Sequence, residues 1–284
     1  MRVLLGKEDH AVVITPNYQS AETVPLSLCA VSGVPLDPND GWSLDLDRVA
    51  AAIRPETRVV SINFPHNPTG KILELDRFAA LVELCRKRGI WLFSDEVYRL
   101  LGPEGVEHLP QVADVYERGL SLGVMSKAYG LAGLRIGWIA CSDRNMLLRM
   151  ERMKHYLSIC NSGPSERLAL IALRARERLL ARNCALITAN LAKLDAFFGT
   201  FPHLFDWHRP DGGCVAYPRY LGNDGVEAFA ERLIEQAGVL LLPSGMYRSE
   251  LNATPPDRFR IGFGRADLAQ GLAAFADHLA RNAM

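Results

Sequence analysis

Apolar positions along the chain recur at two periods, and the alternation between them marks a repeating unit. Residues 57–62 (TRVVSI) are a short β-branched run that reads as a buried strand. After it, Leu75, Phe78, Ala79, Val82 and Cys85 fall at i, i+3, i+4, i+7 and i+10, which predicts a helix over 74–88. Glu74 and Asp76 stand in its first turn, Arg86, Lys87 and Arg88 in its last, and Gly89 just beyond. That order suits the helix dipole and a C-terminal glycine cap. Residues 90–94 (IWLFS) read as a second buried strand. Strand, helix and strand at this spacing make a βαβ unit, so the two strands are expected to be parallel, in a sheet covered on both faces. Further strands are expected at 11–14, 28–34, 120–125 and 135–140, and helices at 143–157 and 165–198.

The rhythm changes beyond about residue 190. DWHRPDGGCVAYPRY reads as a strand pair around Gly212-Gly213. Val226, Phe229, Ala230, Leu233 and Ile234 mark a helical stripe, VLLLP and RFRIGFG two strands, and Leu268, Leu272, Phe275 and Leu279 a last helix. The expectation is an α/β unit with a mostly parallel sheet over 1–190, followed by a smaller α+β domain over 191–284.

Composition narrows the function classes. The 284 residues are 49% hydrophobic and 23% charged, too apolar for a disordered chain. Thirty-two basic residues balance thirty-two acidic ones, so the basic excess of a general nucleic-acid binder is missing. No apolar run approaches the roughly 18 residues of a membrane span. Gly6, Lys7, Glu8 and Asp9 interrupt the N-terminal apolar residues too early for a secretory signal, and the chain reads as cytoplasmic. Six cysteines at 29, 85, 141, 160, 184 and 214 form no CxxC pair and read as buried or half-buried thiols. Seven scattered histidines have no zinc spacing.

The candidate chemistry gathers just after three strands. Residues 57–62 lead into Asn63-Phe64-Pro65-His66-Asn67-Pro68-Thr69-Gly70, 90–94 into Asp95-Glu96-Val97-Tyr98, and 120–125 into Ser126-Lys127. In an open α/β sheet the carboxyl ends of the strands form the ligand crevice, so Asn67, Asp95 and Lys127 are expected to converge.

PHNPTG, SDEVY and SKAYGLAGLRIGW, in this order and at this spacing, resemble the class I/II aminotransferases, fold-type I enzymes that use pyridoxal 5′-phosphate (PLP). The resemblance runs from about residue 10 to 284. It implies that Lys127 is the Schiff-base lysine that later shuttles the substrate α-proton. It implies that Asp95 pairs with the pyridine nitrogen, and that Asn67 and Tyr98 donate to the cofactor's phenolic oxygen. Arg135, eight residues after Lys127, matches the phosphate-binding arginine, with Ser126 adding a hydroxyl. Where relatives often carry another hydroxyl, three residues before the lysine, this chain has Val124. Tyr18, in Pro16-Asn17-Tyr18, matches the aromatic stacked on the ring. Arg260, in RFRIGFG, matches the grip on the substrate α-carboxylate, with Arg258 and Arg265 as competing candidates. A cis Asn67–Pro68 bond is expected on the same ground. Of the remaining polar groups, His66 and His155 read as residues satisfied by their neighbours, while Met246-Tyr247 could lie near a substrate side chain.

The implied activity is transamination between an amino acid and a 2-oxo acid by a ping-pong sequence, in a homodimer. The same motifs occur in decarboxylases, β-lyases and cyclising synthases, and an inactive PLP-binding homologue is a further alternative. Relatives run to roughly 400 residues, and Met1 here stands just before the strand leading into Tyr18. The expectation is an N-terminally shortened fold without the Gly/Ser-rich turn that cradles the phosphate. Apolar surface should then be exposed where the missing elements would pack.

Overall fold

The computed structural model describes residues 1–103, 105 and 108–282. Its centre is a six-stranded sheet of β1 (His10–Thr15), β2 (Ala30–Pro35), β3 (Thr57–Asn63), β4 (Trp91–Asp95), β5 (Gly119–Val124) and β6 (Gly137–Ala140), in the order β2-β1-β3-β4-β5-β6. Every neighbouring pair is parallel except β5–β6. The expected α/β architecture with a mostly parallel sheet is therefore present, and the strand expected at 135–140 is a short antiparallel edge.

Helices α1 (Gln19–Leu26), α2 (Leu46–Ala52), α3 (Leu75–Arg88) and α4 (Val112–Val115) fall between the strands. The α3 stripe buries Phe78, Leu81, Val82 and Cys85, and Gly89 caps it in the left-handed conformation at φ 64°. One sheet face contributes Val12, Ile14, Val60, Ile62 and Leu92 to the core with this stripe. On the opposite face Ala11, Val59, Trp91 and Leu120 pack with Leu4, Leu5 and Met146. Alternate residues of each strand point to opposite faces, which is why the strands read as continuous apolar runs.

After the sheet come α5 (Arg144–Leu157), α6 (Gly163–Arg174) and α7 (Arg176–Thr200). The single helix expected over 165–198 is two: Ala175 leaves helical geometry at φ −100°, ψ 19°. No local residue dictates this break. α6 packs on the 132–134 turn and α7 on the C-terminal helix, so tertiary packing overrides an unbroken helical sequence.

The remainder holds β7 (Phe205–Asp206), β8 (Val215–Ala216), β9 (Arg219–Tyr220), α8 (Val226–Ala237), β10 (Leu242–Pro243), β11 (Phe259–Gly262) and α9 (Leu268–Asn282). They form a three-stranded sheet β10-β11-β8 and a two-stranded pair β7-β9. Phe198, Phe205, Phe229, Phe259 and Phe275 interlock at their centre. Burying each ring stabilises by about 2–3 kcal/mol.

The expected strand pair about Gly212-Gly213 forms only at its outer ends, where Asp206 of β7 pairs with Arg219 of β9, because the glycines between them dock elsewhere. Gly212 N–H donates to Gly70 O at 2.9 Å and Gly213 N–H to Leu101 O at 2.9 Å. A Cβ on Gly212 would stand 2.6 Å from Ile72. Gly70, at φ 73°, would place one 2.4 Å from Pro210 and 2.6 Å from Val215 O. The glycine of PHNPTG is thus required by close backbone approach to the C-terminal strands as well as by its positive φ. Among the described residues, no helix is long and apolar enough to cross a membrane.

Candidate active site

β3, β4 and β5 end side by side, with Asn63 paired to Asp95 in register and Asp95 paired to Leu122. Asn63 ties the first two ends together. Its Nδ2 donates to Asp95 O at 2.9 Å, and its Oδ1 accepts the Asn67 N–H at 2.9 Å. The loop after β3 is further held by His66, which is fully buried. His66 Nε2 reaches Pro16 O at 2.9 Å, and since a carbonyl only accepts, Nε2 carries the proton. Nδ1 then accepts from Thr69 Oγ1 at 2.8 Å. Burial pushes the imidazole down to about 4, so the ring stays neutral at physiological pH. His66 thereby joins the Pro16-Asn17-Tyr18 loop to the Asn67 loop, as its reading as a satisfied polar group implies. The Asn67–Pro68 peptide is cis.

Asp95 accepts Val97 N–H at 3.2 Å and makes no ion pair among the described residues. Burial, reinforced by Glu96, raises its carboxyl to about 6, against the opposing pull of the Val97 N–H and of Lys127. Lys127 lies in the turn after β5, exposed, and its amine makes neither hydrogen bond nor ion pair among the described residues. Its Nζ lies 5.5 Å from the centroid of the buried Tyr98 ring. Burial raises the Tyr98 phenol strongly. From the C-terminal strands Arg260 reaches the same place: Nη1 donates to Asn67 Oδ1 at 3.2 Å, and its guanidinium lies 5.9 Å from the Tyr247 ring centroid. Tyr18, 49% exposed at the N-terminus of α1, shares a cavity of about 190 Å³ with Asn17, Asn63, Phe93 and Asp95.

Asn67, Asp95, Tyr98, Lys127 and Arg260 thus gather at one carboxyl edge, and Tyr18 lines the same cavity as Asp95. Of the competing arginines, Arg258 is buried with its guanidinium 5.0 Å from the Trp42 ring centroid and donates to Tyr217 O. Arg265 is exposed and pairs with Asp267 at 2.9 Å. Only Arg260 of the three faces Asn67. Ser126 lies half-buried beside Lys127. Arg135 is exposed at φ 56° and donates to Ala132 O in its own turn, so it is not drawn into the cluster. His155 is exposed beside Glu151.

Two neighbours, Asn63 and Cys214, carry no sequence signal of their own, and a third, Tyr247, reads from the sequence as near a substrate side chain. Asn63 is one polar residue at a strand end, and only the register shows that its amide spans two loops. Tyr247 is buried against Arg260, whereas its companion Met246 is exposed. Cys214 lies within the electrostatic reach of Lys127 and Arg260, and burial pushes its thiol to about 11, so it is a protonated thiol. The six cysteines are all free.

A half-buried carboxylate and an amine, neither in an ion pair among the described residues, an exposed aromatic lining the same cavity as the carboxylate and a guanidinium bonded to Asn67 fit a cationic heteroaromatic aldehyde. Such a group would find in Asp95 an acceptor for its ring N–H, in Tyr18 an aromatic face, in Lys127 an amine and in Arg260 a partner for a carboxylate. Fold and site together define a PLP-dependent enzyme of the aminotransferase type. The chain belongs to the aminotransferase class I and II family, whose profile matches residues 1–275. It is 31% identical over 281 residues to capreomycidine synthase of Streptomyces vinaceus, covering 97% of this chain. It spans 69% of that relative's length and 62% of two others'. A PLP-dependent aminotransferase from Streptococcus suis superposes with a TM-score of 0.90 at 29% identity, over 99% of this chain and 73% of that one. The PLP-dependent cyclase OrfR superposes at 0.86 with 28% identity, over 99% and 74%.

Proposed function

We propose that the protein is a PLP-dependent aminotransferase moving an amino group between an amino acid and a 2-oxo acid. The supporting observation is that the Lys127 amine acts electrostatically on Asp95 and lies 5.5 Å from the Tyr98 ring, while Arg260 meets Asn67 at the same edge. PLP, when bound, supplies an electron sink for the pair of electrons left at the substrate's Cα. Asp95 keeps the ring nitrogen protonated, and its proximity to that cation draws its own carboxyl back down from about 6. Arg260 fixes the α-carboxylate, which sets the Cα–H bond toward Lys127. The free Lys127 amine would take up that proton and hand it back within the same site. Asn67 and Tyr98 would hold the phenolic oxygen, and Ser126 with Arg135 the phosphate, Arg135 by leaving the turn in which it is bonded. In this reading residues 1–190 bind the cofactor, residues 191–284 close over the substrate, and the enzyme works in the cytoplasm as a homodimer.

A second reading, PLP-dependent cyclisation, is favoured by the similarity to capreomycidine synthase and to OrfR. The two readings differ in one observable. Incubation of the PLP-loaded protein with amino acids, without a 2-oxo acid, converts the cofactor to its amine form in transamination and releases an oxo acid. Product formation with the cofactor returned unchanged supports cyclisation instead.

A further inference from the structure

The segment that carries Tyr18 is tied to a distant stretch of chain by a buried carboxylate. Glu22, 4% exposed on α1, accepts the Glu250 N–H on Oε1 at 2.8 Å. Its Oε2 accepts the Ser249 hydroxyl at 2.8 Å and the Asn17 side-chain amide at 3.4 Å. Asn17 immediately precedes Tyr18, and its Nδ2 also donates to Ile14 O at 2.7 Å. Ser249 Oγ in turn accepts the Leu251 N–H at 3.0 Å, so the carboxylate organises the turn it grips. Two flanking contacts run the same way: Gln19 Nε2 donates to Met246 O at 2.9 Å, and Thr15 Oγ1 to Asn252 Oδ1 at 3.1 Å. The stretch 246–252 begins beside Tyr247, which packs against Arg260, and leads back into β11, which bears Arg260. One buried acid therefore joins the aromatic facing the ring to the segment supporting the carboxylate grip. A buried acceptor engaged three times is costly to disturb, because each donor would be left without a partner.

We infer that Glu22 is a positioning residue, which sets Tyr18 in register with the Tyr247–Arg260 wall. The inference rests on the PLP reading above for what the register serves. Glu22→Ala, the milder Glu22→Gln and Ser249→Ala are compared with wild type. Hydrogen exchange of the unliganded protein reads the clamp without any cofactor. Amides of 16–26 and of 246–252 exchange at least about tenfold faster in Glu22→Ala, while those of β3 and β4 keep their rates. PLP titration followed by tyrosine fluorescence then shows affinity lowered about tenfold, and KM for the amino donor rises more than kcat falls. Ser249→Ala gives a smaller change in the same two segments, and Glu22→Gln lies between. Faster exchange across the whole chain, or in α1 alone, identifies plain support of the fold and overturns the inference. Faster exchange in both segments with unchanged PLP affinity and KM also overturns it, leaving the PLP reading intact. Wild-type protein that takes up no PLP sinks that reading and the role toward it, while the exchange result still reports whether the clamp exists.

Discussion

The two sides of the crevice are built differently. On the β3–β4 side, Asn63, His66, Asn67 and Tyr98 are buried, and hydrogen bonds to other segments fix the first three. On the β5–β6 side, Lys127 and Arg135 are exposed, and Arg135 is bonded only within its own turn. The contrast continues outward. β3 and β4 sit inside the sheet, whereas β6 is its edge and shows Trp138 and Ile139 to solvent. Beside it Leu157 is 65% exposed and Ile171 53%, and a groove of about 470 Å³ runs between Phe93, Ile139, Met146, Met150 and Leu157. The side to which the PLP reading assigns the ring and carboxylate is thus preorganised by the chain's own packing, while the side it assigns to the phosphate rests on exposed groups. Preorganisation on one side and exposure on the other predict unequal responses to mutation.

The largest effect is expected on the ordered side. Asp95→Asn removes the charge facing the ring nitrogen and should lower kcat by several powers of ten, about 4 kcal/mol or more. The same substitution tests the electrostatics of the unliganded protein. The Asp95 carboxyl is raised from 3.8 to about 6 by folding, so the folded chain holds this proton more tightly than the unfolded chain. That favours folding below pH 4 and is lost as pH rises through 6. Chemical denaturation of the unliganded protein should therefore find Asp95→Asn more stable than wild type at pH 8, by about 3 kcal/mol, with the difference fading toward pH 4. A constant difference across this range would remove the electrostatic account of Asp95.

Next comes Arg260→Ala. It should raise KM for the amino donor by about 10- to 100-fold while PLP affinity changes little, since the lost interaction is one charge-assisted grip on the substrate. A parallel loss of PLP affinity would mean that the two subsites are not separable. On the open side, Arg135→Ala should weaken PLP binding by no more than about tenfold, because an exposed guanidinium is already hydrated. A loss of a thousandfold would show that Arg135 leaves its turn and completes a phosphate site as strong as the ring site. The smallest energetic effect belongs to the apolar edge. Leu157→Lys should change stability by less than about 0.5 kcal/mol yet reduce self-association in sedimentation velocity. Unchanged association would remove that surface from the account.

The ordered side was also the more legible one. Asn67, Asp95 and Lys127 were placed at a common edge from strand ends alone, because a parallel sheet delivers its carboxyl ends together whatever the side chains are. Tyr98 and Arg260 needed the family resemblance, since nothing local distinguishes Arg260 from Arg258 or Arg265. Their fates depend on tertiary neighbours: Trp42 beneath one, Asp267 beside the other. The strand pair expected about Gly212-Gly213 is confined to its outer ends, β7 and β9, for a similar reason. A glycine pair signals a hairpin only when no other backbone claims the space, and here Gly70 and Leu101 do. The break at Ala175 and the double reach of the Asn63 amide are decided entirely by what packs against them.

Everything in the functional account depends on the Lys127 amine being the group that bonds the cofactor. Protein saturated with PLP and reduced with borohydride tests this most directly, by mass spectrometry of the digest. The account predicts one stoichiometric pyridoxyl adduct, on Lys127, and none in Lys127→Ala. A principal adduct on any other lysine, or bound PLP that borohydride fails to fix, would contradict it.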